Sequence, residues 1–117
     1  MNCALQAGSL CLLISGWLSG HGYETYQRDA ILRSIWIESR FESCVVSGSG
    51  SFLVQWAGPR LRWIQQHYRG CPPWEWQMER LDWELKTVSE YQCFWKARSY
   101  PAAFRAFRKG FEHGNCL

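Results

Sequence analysis

Glu38 is the first residue whose placement suggests chemistry. At roughly 100° per residue, Ile31, Ile35, Glu38 and Glu42 fall within about 60° of one another on a helix, with Arg33 and Arg40 near the opposite side. A carboxyl group packed against apolar side chains is poorly solvated when ionised, which favours the protonated acid. Such an acid can give its proton to a leaving oxygen, as glycoside hydrolysis requires. The plainer alternative is a glutamate paired with an arginine, such as Arg28 or Arg62, or one that caps a loop. Glu42 lies one turn on and would repel Glu38 if both faced the same way. A position past the helix end, in water, is the preferred reading for Glu42.

Tryptophan is the second signal. The chain holds 8 Trp. Trp36, Trp56, Trp63, Trp74, Trp76, Trp83 and Trp95 cannot all fit the interior of so small a domain, so about half are expected in the core. The rest are expected to line a groove, where indole faces pack on the apolar faces of sugars and the N–H donates to a hydroxyl. A third signal is basic: Lys96, Arg98, Arg105, Arg108 and Lys109 occur with no acidic residue between Tyr91 and Phe111. This is a solvated face or a patch that steers an anionic polymer. His21, His67 and His113 are isolated, and no HExxH pattern is present, so neither a metal nor a cofactor is expected. Phosphate-loop, dinucleotide-binding and serine-hydrolase motifs are also missing.

The elements that must position these residues follow from periodicity. Residues 3–18 read as a first core helix ending near Gly16–Gly22; no Lys or Arg precedes Arg28, so the basic start of a signal peptide is missing. The run also falls short of the roughly 20 residues of a membrane span. Residues 26–41 form an amphipathic helix with Thr25 as its cap. Ser47–Ser51 is a flexible turn, and Ser51–Trp56 a short strand or extended loop. Pro59 opens the next helix. Trp74, Met78, Leu81, Leu85 and Val88 mark another at strong helical spacing. Residues 91–98 are less regular. Ser99 caps a last helix through Ala103, Phe104, Phe107 and Phe111, with Gly110 near its end.

Length and composition bound the rest. A chain of 117 residues holds one domain, here 1–117. An apolar fraction of 47% with 16% aromatics excludes disorder, collagen and coiled coil. A net charge of +3 is too weak to imply nucleic acid. Cys3, Cys11, Cys44, Cys71, Cys93 and Cys116 include no CxxC, so a zinc ribbon is not expected. Six cysteines allow 15 pairings, and buried thiols or one or two bridges fit equally well.

One family shares these features. The stretch ILRSIWIESRFESCVV, followed by GSFLVQWAGPR, resembles the catalytic motif of the phage tail lysozyme family, within the goose-type lysozyme and soluble lytic transglycosylase group. In that family a helix ending in Glu-Ser-x-Phe carries the acid, and a glycine-rich loop leads to a Gln often followed by Trp. The matching residues are Glu38, Ser39 and Phe41, then Gln55 and Trp56, with Gly58–Arg60 after them. QMERLDWEL at Gln77–Leu85 resembles the family's helix with Gln early and Glu-Leu late. AAFRAFRKGFEHG at Ala102–Gly114 resembles its closing helix, Phe111-Glu112 matching an aromatic-Glu pair. The resemblance covers roughly residues 10 to 114. The chain departs from the family at Phe52, where glycine is usual, in a loop one residue shorter, and at Ser43 or Cys44, where proline is common.

The resemblance implies a mainly α, lysozyme-like fold of about five helices with a short β or extended segment near 51–57. It implies cleavage of the β-1,4 bond between N-acetylmuramic acid and N-acetylglucosamine in peptidoglycan, with Glu38 as general acid. Ser51, Gln55 and Trp56 would bind substrate. A second carboxylate could come from Glu42, Glu79 or Asp82. Otherwise the substrate's own 6-hydroxyl displaces the bond and leaves a 1,6-anhydro sugar, so hydrolase and lytic transglycosylase both stand open. Such a protein would be virion-associated or exported, would act in the periplasm or cell wall, and could meet other virion or secretion-machine proteins. Nucleic acid and membrane are not expected partners. The rival reading is a non-catalytic wall-binding or structural virion protein on the same scaffold.

Overall fold

The computed structural model describes Cys3 and residues 9–109, and among these it has six α-helices and one small hairpin. The order is α1 (Ser9–Gly20), α2 (Thr25–Ser39), β1 (Val46–Ser47), β2 (Gly50–Ser51), α3 (Gly58–His67), α4 (Trp74–Thr87), a single 3-10 turn (Ser89–Tyr91), α5 (Gln92–Lys96) and α6 (Tyr100–Arg108). The mainly α class with a short β segment is therefore correct. The helix count exceeds the expected five because α5, only five residues long, shows no periodicity of its own. Phe111, Glu112, His113, Gly110 and Cys116 lie outside the described residues.

The stripe on α2 forms as expected. Ile31 and Ile35 are fully buried, together with Ala30 and Leu32. The cap differs by one residue. Glu24, not Thr25, precedes the first turn, and its backbone N–H donates to Gln27 Oε1 at 2.7 Å, half of a reciprocal capping box. The Thr25 hydroxyl instead accepts from Arg28 at 3.1 Å. At the other end Arg40 and Phe41 take left-handed φ values of 54° and 61°. Each costs a non-glycine residue about 1–2 kcal/mol. Burial of Phe41 and the stacking of Arg40 over Trp36, 4.4 Å from the ring centroid, offset this. The helix thus stops one residue after Glu38.

α2 packs most extensively on α6, and α1 lies against it too. The Tyr26 hydroxyl donates to Ala97 O at 2.9 Å and ties α2 to the segment before α6. The predicted Ser99 cap is in place, accepting from the Ala102 N–H. Ile14 and Leu18 from α1, Ile64 from α3, Met78, Leu81 and Leu85 from α4, and Phe94 from α5 join one core with the α2 stripe.

The turn at Ser47–Ser51 is a two-residue antiparallel hairpin, Val46 opposite Ser51 and Ser47 opposite Gly50. Ser51 also bridges to Trp56, so the chain folds back twice over a few residues. A Cβ on Gly50 would collide with the backbone carbonyl of Gln55, so only glycine fits there. The cysteines favour bridges over thiols. Cys3 joins Cys11, Cys44 joins Cys71 across the base of the hairpin, and Cys93 is also disulfide-bonded.

Helices α1 and α3 end alike. His21 stacks on Trp17 and His67 on Trp63, ring centroids 3.6 and 3.8 Å apart. Each imidazole Nδ1 bonds the carbonyl of its tryptophan at 2.7 Å, one turn back, so ring stacking and hydrogen bond lock the same pair.

Candidate functional site

The last turn of α2 carries Glu38, whose side chain is 25% exposed. Its Oε1 accepts from Arg108 Nη1 at 2.7 Å. The plainer alternative anticipated an arginine partner, and one is there, but it is neither Arg28 nor Arg62. Arg28 donates to Tyr23 O and Thr25 Oγ1. The partner comes from α6, so the basic stretch is in part a counter-charge delivered to α2. A carboxylate in the last turn meets the negative end of the helix dipole, and Arg108 supplies the opposing charge. Free transfer of a proton from Glu38 therefore requires the arginine to give way.

Glu42 is exposed, as preferred above. Of the other carboxylates, Asp82 accepts from the Tyr23 hydroxyl and pairs with Lys86 at 3.0 Å. Burial, and then the hydrogen bond and charge of Asp82, push the Tyr23 phenol well above its ordinary value. Glu79 is exposed on α4.

The residues expected to meet a sugar are all buried. Trp56 is fully buried, and its indole N–H donates to Glu84 Oε1 at 2.9 Å, so neither its face nor its N–H is open to a ligand. Ser51 is buried and exchanges both backbone hydrogen bonds with Trp56, at 2.9 and 2.8 Å. Gln55 has no polar valence left. Its Oε1 accepts from Ser47 at 2.6 Å and Ser49 at 3.3 Å, and its Nε2 donates to Phe52 O at 2.9 Å and Val45 O at 3.3 Å. These three residues build the hairpin and its return, instead of presenting it. The physical reason is conformational: Phe52 and Gln55 stand at φ values of 73° and 56°, which swing the Gln55 side chain back over its own loop.

Two buried polar residues on α4 complete this construction. Gln77 Oε1 accepts from Leu53 N at 2.9 Å, while its Nε2 donates to Ser43 O at 2.8 Å and Pro72 O at 2.9 Å. Glu84, 1% exposed, takes Arg60 as a two-pronged partner, Nε to Oε2 at 3.0 Å and Nη2 to Oε1 at 2.5 Å, beside the Trp56 bond. Burial pulls the Arg60 guanidinium down, but its hydrogen bond to Glu84 and the nearby Tyr91 and Glu84 more than offset this, leaving it above its ordinary value. Burial pushes the Tyr91 phenol up to about 12. Neither Glu84 nor Arg108 was singled out as a partner from the sequence. For Glu84 a signal exists: Gln77, Leu81 and Glu84 share one helix face within about 60°.

A cleft of about 630 Å³ opens between the hairpin and the end of α3, lined by Val46, Ser51, Phe52, His67, Tyr68 and the Cys44–Cys71 bridge. Another of about 350 Å³ lies between α3 and α4, lined by Trp63, Trp76, Glu79, Arg80 and Trp83. Among the described residues no group of His, Cys, Asp and Glu could hold a metal ion. No helix there is long and apolar enough to cross a membrane. No family model, no curated protein and no solved structure matches the chain.

Proposed function

We propose that the chain cleaves the β-1,4 bond between N-acetylmuramic acid and N-acetylglucosamine in peptidoglycan, with Glu38 as general acid. The observation that carries this reading is the placement of Glu38. A helix whose Ile31 and Ile35 are buried presents one partly exposed carboxyl on that same face in its last turn, and the chain then enters a hairpin braced from within by Gln55 and Gln77. Phe52 supports it as well. The position where the resembled family has glycine holds φ 73°, the conformation glycine favours, so the departure in sequence keeps the backbone path. In this reading Arg108 holds the carboxylate in place, and an incoming sugar displaces it. No metal or cofactor takes part. The protein would act on the wall as part of a virion or after export.

Replacing Glu38 with glutamine tests the reading. The amide keeps the shape and cannot donate a carboxylic proton. The lost ion pair is partly exposed at both ends, so stability should fall by no more than about 1 kcal/mol. A folded E38Q protein that clears peptidoglycan near the wild-type rate overturns the proposal. Mass spectrometry of the products then assigns the class, anhydro ends for a transglycosylase and reducing ends for a hydrolase. The Arg108 ion pair favours one second reading, a non-catalytic wall-binding protein. It is adopted if wild type sediments with peptidoglycan and clears none in a zymogram.

A further inference from the structure

The cleft between α3 and α4 holds an arginine whose buried Nε has no hydrogen-bond acceptor among the described residues. Arg80 lies with its guanidinium carbon 3.6 Å from the ring centroid of Trp63 and 4.2 Å from that of Trp83. Its side chain is 12% exposed, and its Nε is buried with no hydrogen-bond partner. The nearest carboxylate oxygen, Glu84 Oε2, stands 3.9 Å from that Nε, too far for a hydrogen bond, and already accepts from Arg60. A guanidinium carries five N–H donors; leaving the buried Nε–H unpaired is costly, and the Nη donors are the ones a ligand can reach.

The aromatic walls are not equivalent. His67 stacks 3.8 Å from the Trp63 centroid, and Arg80 sits 3.6 Å from the same centroid. Two groups that close cannot share one face of the ring, so Trp63 is filled on both sides and acts as a fixed layer. Trp83 is 50% exposed. Trp76 is partly buried, tilted against Trp63 and Tyr68. These two indoles leave ring surface for a ligand, and Glu79 stands at the rim.

We propose that this cleft binds a carboxylate-bearing saccharide, the carboxylate on the open donors of Arg80 and the apolar face of the pyranose against Trp83 and Trp76. Planar donors in a fork suit a carboxylate. Glu79 accepts sugar hydroxyls and disfavours a dense polyanion, so one cation and one carboxylate select a singly charged, hydroxylated ligand. The site is built from α3 and α4 and shares no residue with Glu38 on α2 or Arg108 on α6. The choice of probe rests on the peptidoglycan reading; the geometry of the site does not.

The test uses the full chain carrying Glu38→Gln, and follows the indole N–H signals in proton–nitrogen spectra. N-acetylmuramic acid and N-acetylglucosamine are titrated separately to millimolar concentration; they share a pyranose and differ by the lactyl carboxylate. The expected result is that N-acetylmuramic acid shifts the signals of Trp63, Trp76 and Trp83, and that N-acetylglucosamine binds at least about tenfold more weakly. Arg80→Lys, which keeps the charge and loses the fork, should weaken binding by a similar factor. Trp83→Ala, at a half-exposed position and checked for an unchanged fold by circular dichroism, should do the same. Equal binding of both sugars, no shift with either, or shifts confined to other indoles overturns the proposal. Because Glu38 is already replaced, binding here is read independently of cleavage: a protein that never lyses walls can still pass, and an active enzyme can still fail.

Discussion

Replacing Glu84 with glutamine keeps the shape of a 1% exposed side chain and removes its charge. The amide oxygen can still accept from Trp56 Nε1, but Arg60 loses the anion that held it from two directions. Breaking a buried pair by neutralising one member costs about 3–5 kcal/mol. Arg60 is 27% exposed on its side chain and recovers some hydration, which places the expected loss at the low end, about 3 kcal/mol. Unfolding entropy of about 2.1 cal/mol/K per residue converts this to a fall of roughly 12 °C in melting temperature for a chain of this length. Arg60→Met leaves Glu84 with the Trp56 N–H and only a loose cation, Arg80 at 3.9 Å, and should cost about as much. The double variant strands neither, since the amide still serves Trp56 and the methionine fills the space of the guanidinium stem. It should therefore be less destabilised than the sum of the singles by about 2 kcal/mol. Urea and thermal unfolding followed by circular dichroism measure all four proteins. A single-variant loss under about 1 kcal/mol, or an additive cycle, would show that the Trp56–Arg60–Glu84 network is not what fastens the hairpin return to α3 and α4.

Gln55→Ala removes four hydrogen bonds inside the hairpin and should lower stability by about 2–3 kcal/mol, so that activity and melting temperature fall together; an activity loss at unchanged melting temperature contradicts the internal role. Cys44→Ser with Cys71→Ser opens a loop of 27 residues and should cost about 3–4 kcal/mol, read from the urea midpoint. The Tyr91 phenol, held up to about 12 in the fold by burial, is protonated in the folded chain over a range where the unfolded chain has lost its proton. Stability is thus full below pH 10 and declines as pH rises toward 12, by about 2–3 kcal/mol from this residue. Tyr91→Phe should flatten that decline in a series of alkaline melts.

The helices could be read where burial imposes one period for several turns. On α2 and α4, Ile31, Ile35, Met78, Leu81 and Leu85 are buried as the spacing required, while Trp74 and Val88 from the same pattern are only partly buried and Ala30 and Leu32 are buried as well. α5 could not be read, because five residues make little more than one turn. Glu38 was visible as a carboxylate in an apolar stripe, but its counter-charge was not, since Arg108 is 70 residues away and meets it only through the packing of α6 on α2. Gln55 and Trp56 misled for a local reason. Alternation along a chain predicts which way a side chain faces only while the backbone stays extended, and positive φ at Phe52 and Gln55 reverses it. Glu84 was hidden by its type, because a charged residue on a helix is ordinarily assigned to water.

The packing of α2 against α6 also sets an order of events. Synthesis delivers Glu38 early and Arg108 among the last described residues, so α2 waits for the helix it packs against most extensively. During that interval the side of α2 that meets α6 has no neighbour to shield it, which is when a growing chain is most open to self-association. Closure then depends on a contact between distant parts of the sequence, the kind that slows folding. The acid and its counter-charge become a unit in that docking step. A chain cut in the exposed Arg98–Ser99 connection would lose both the cover of α2 and the partner of Glu38 in one event.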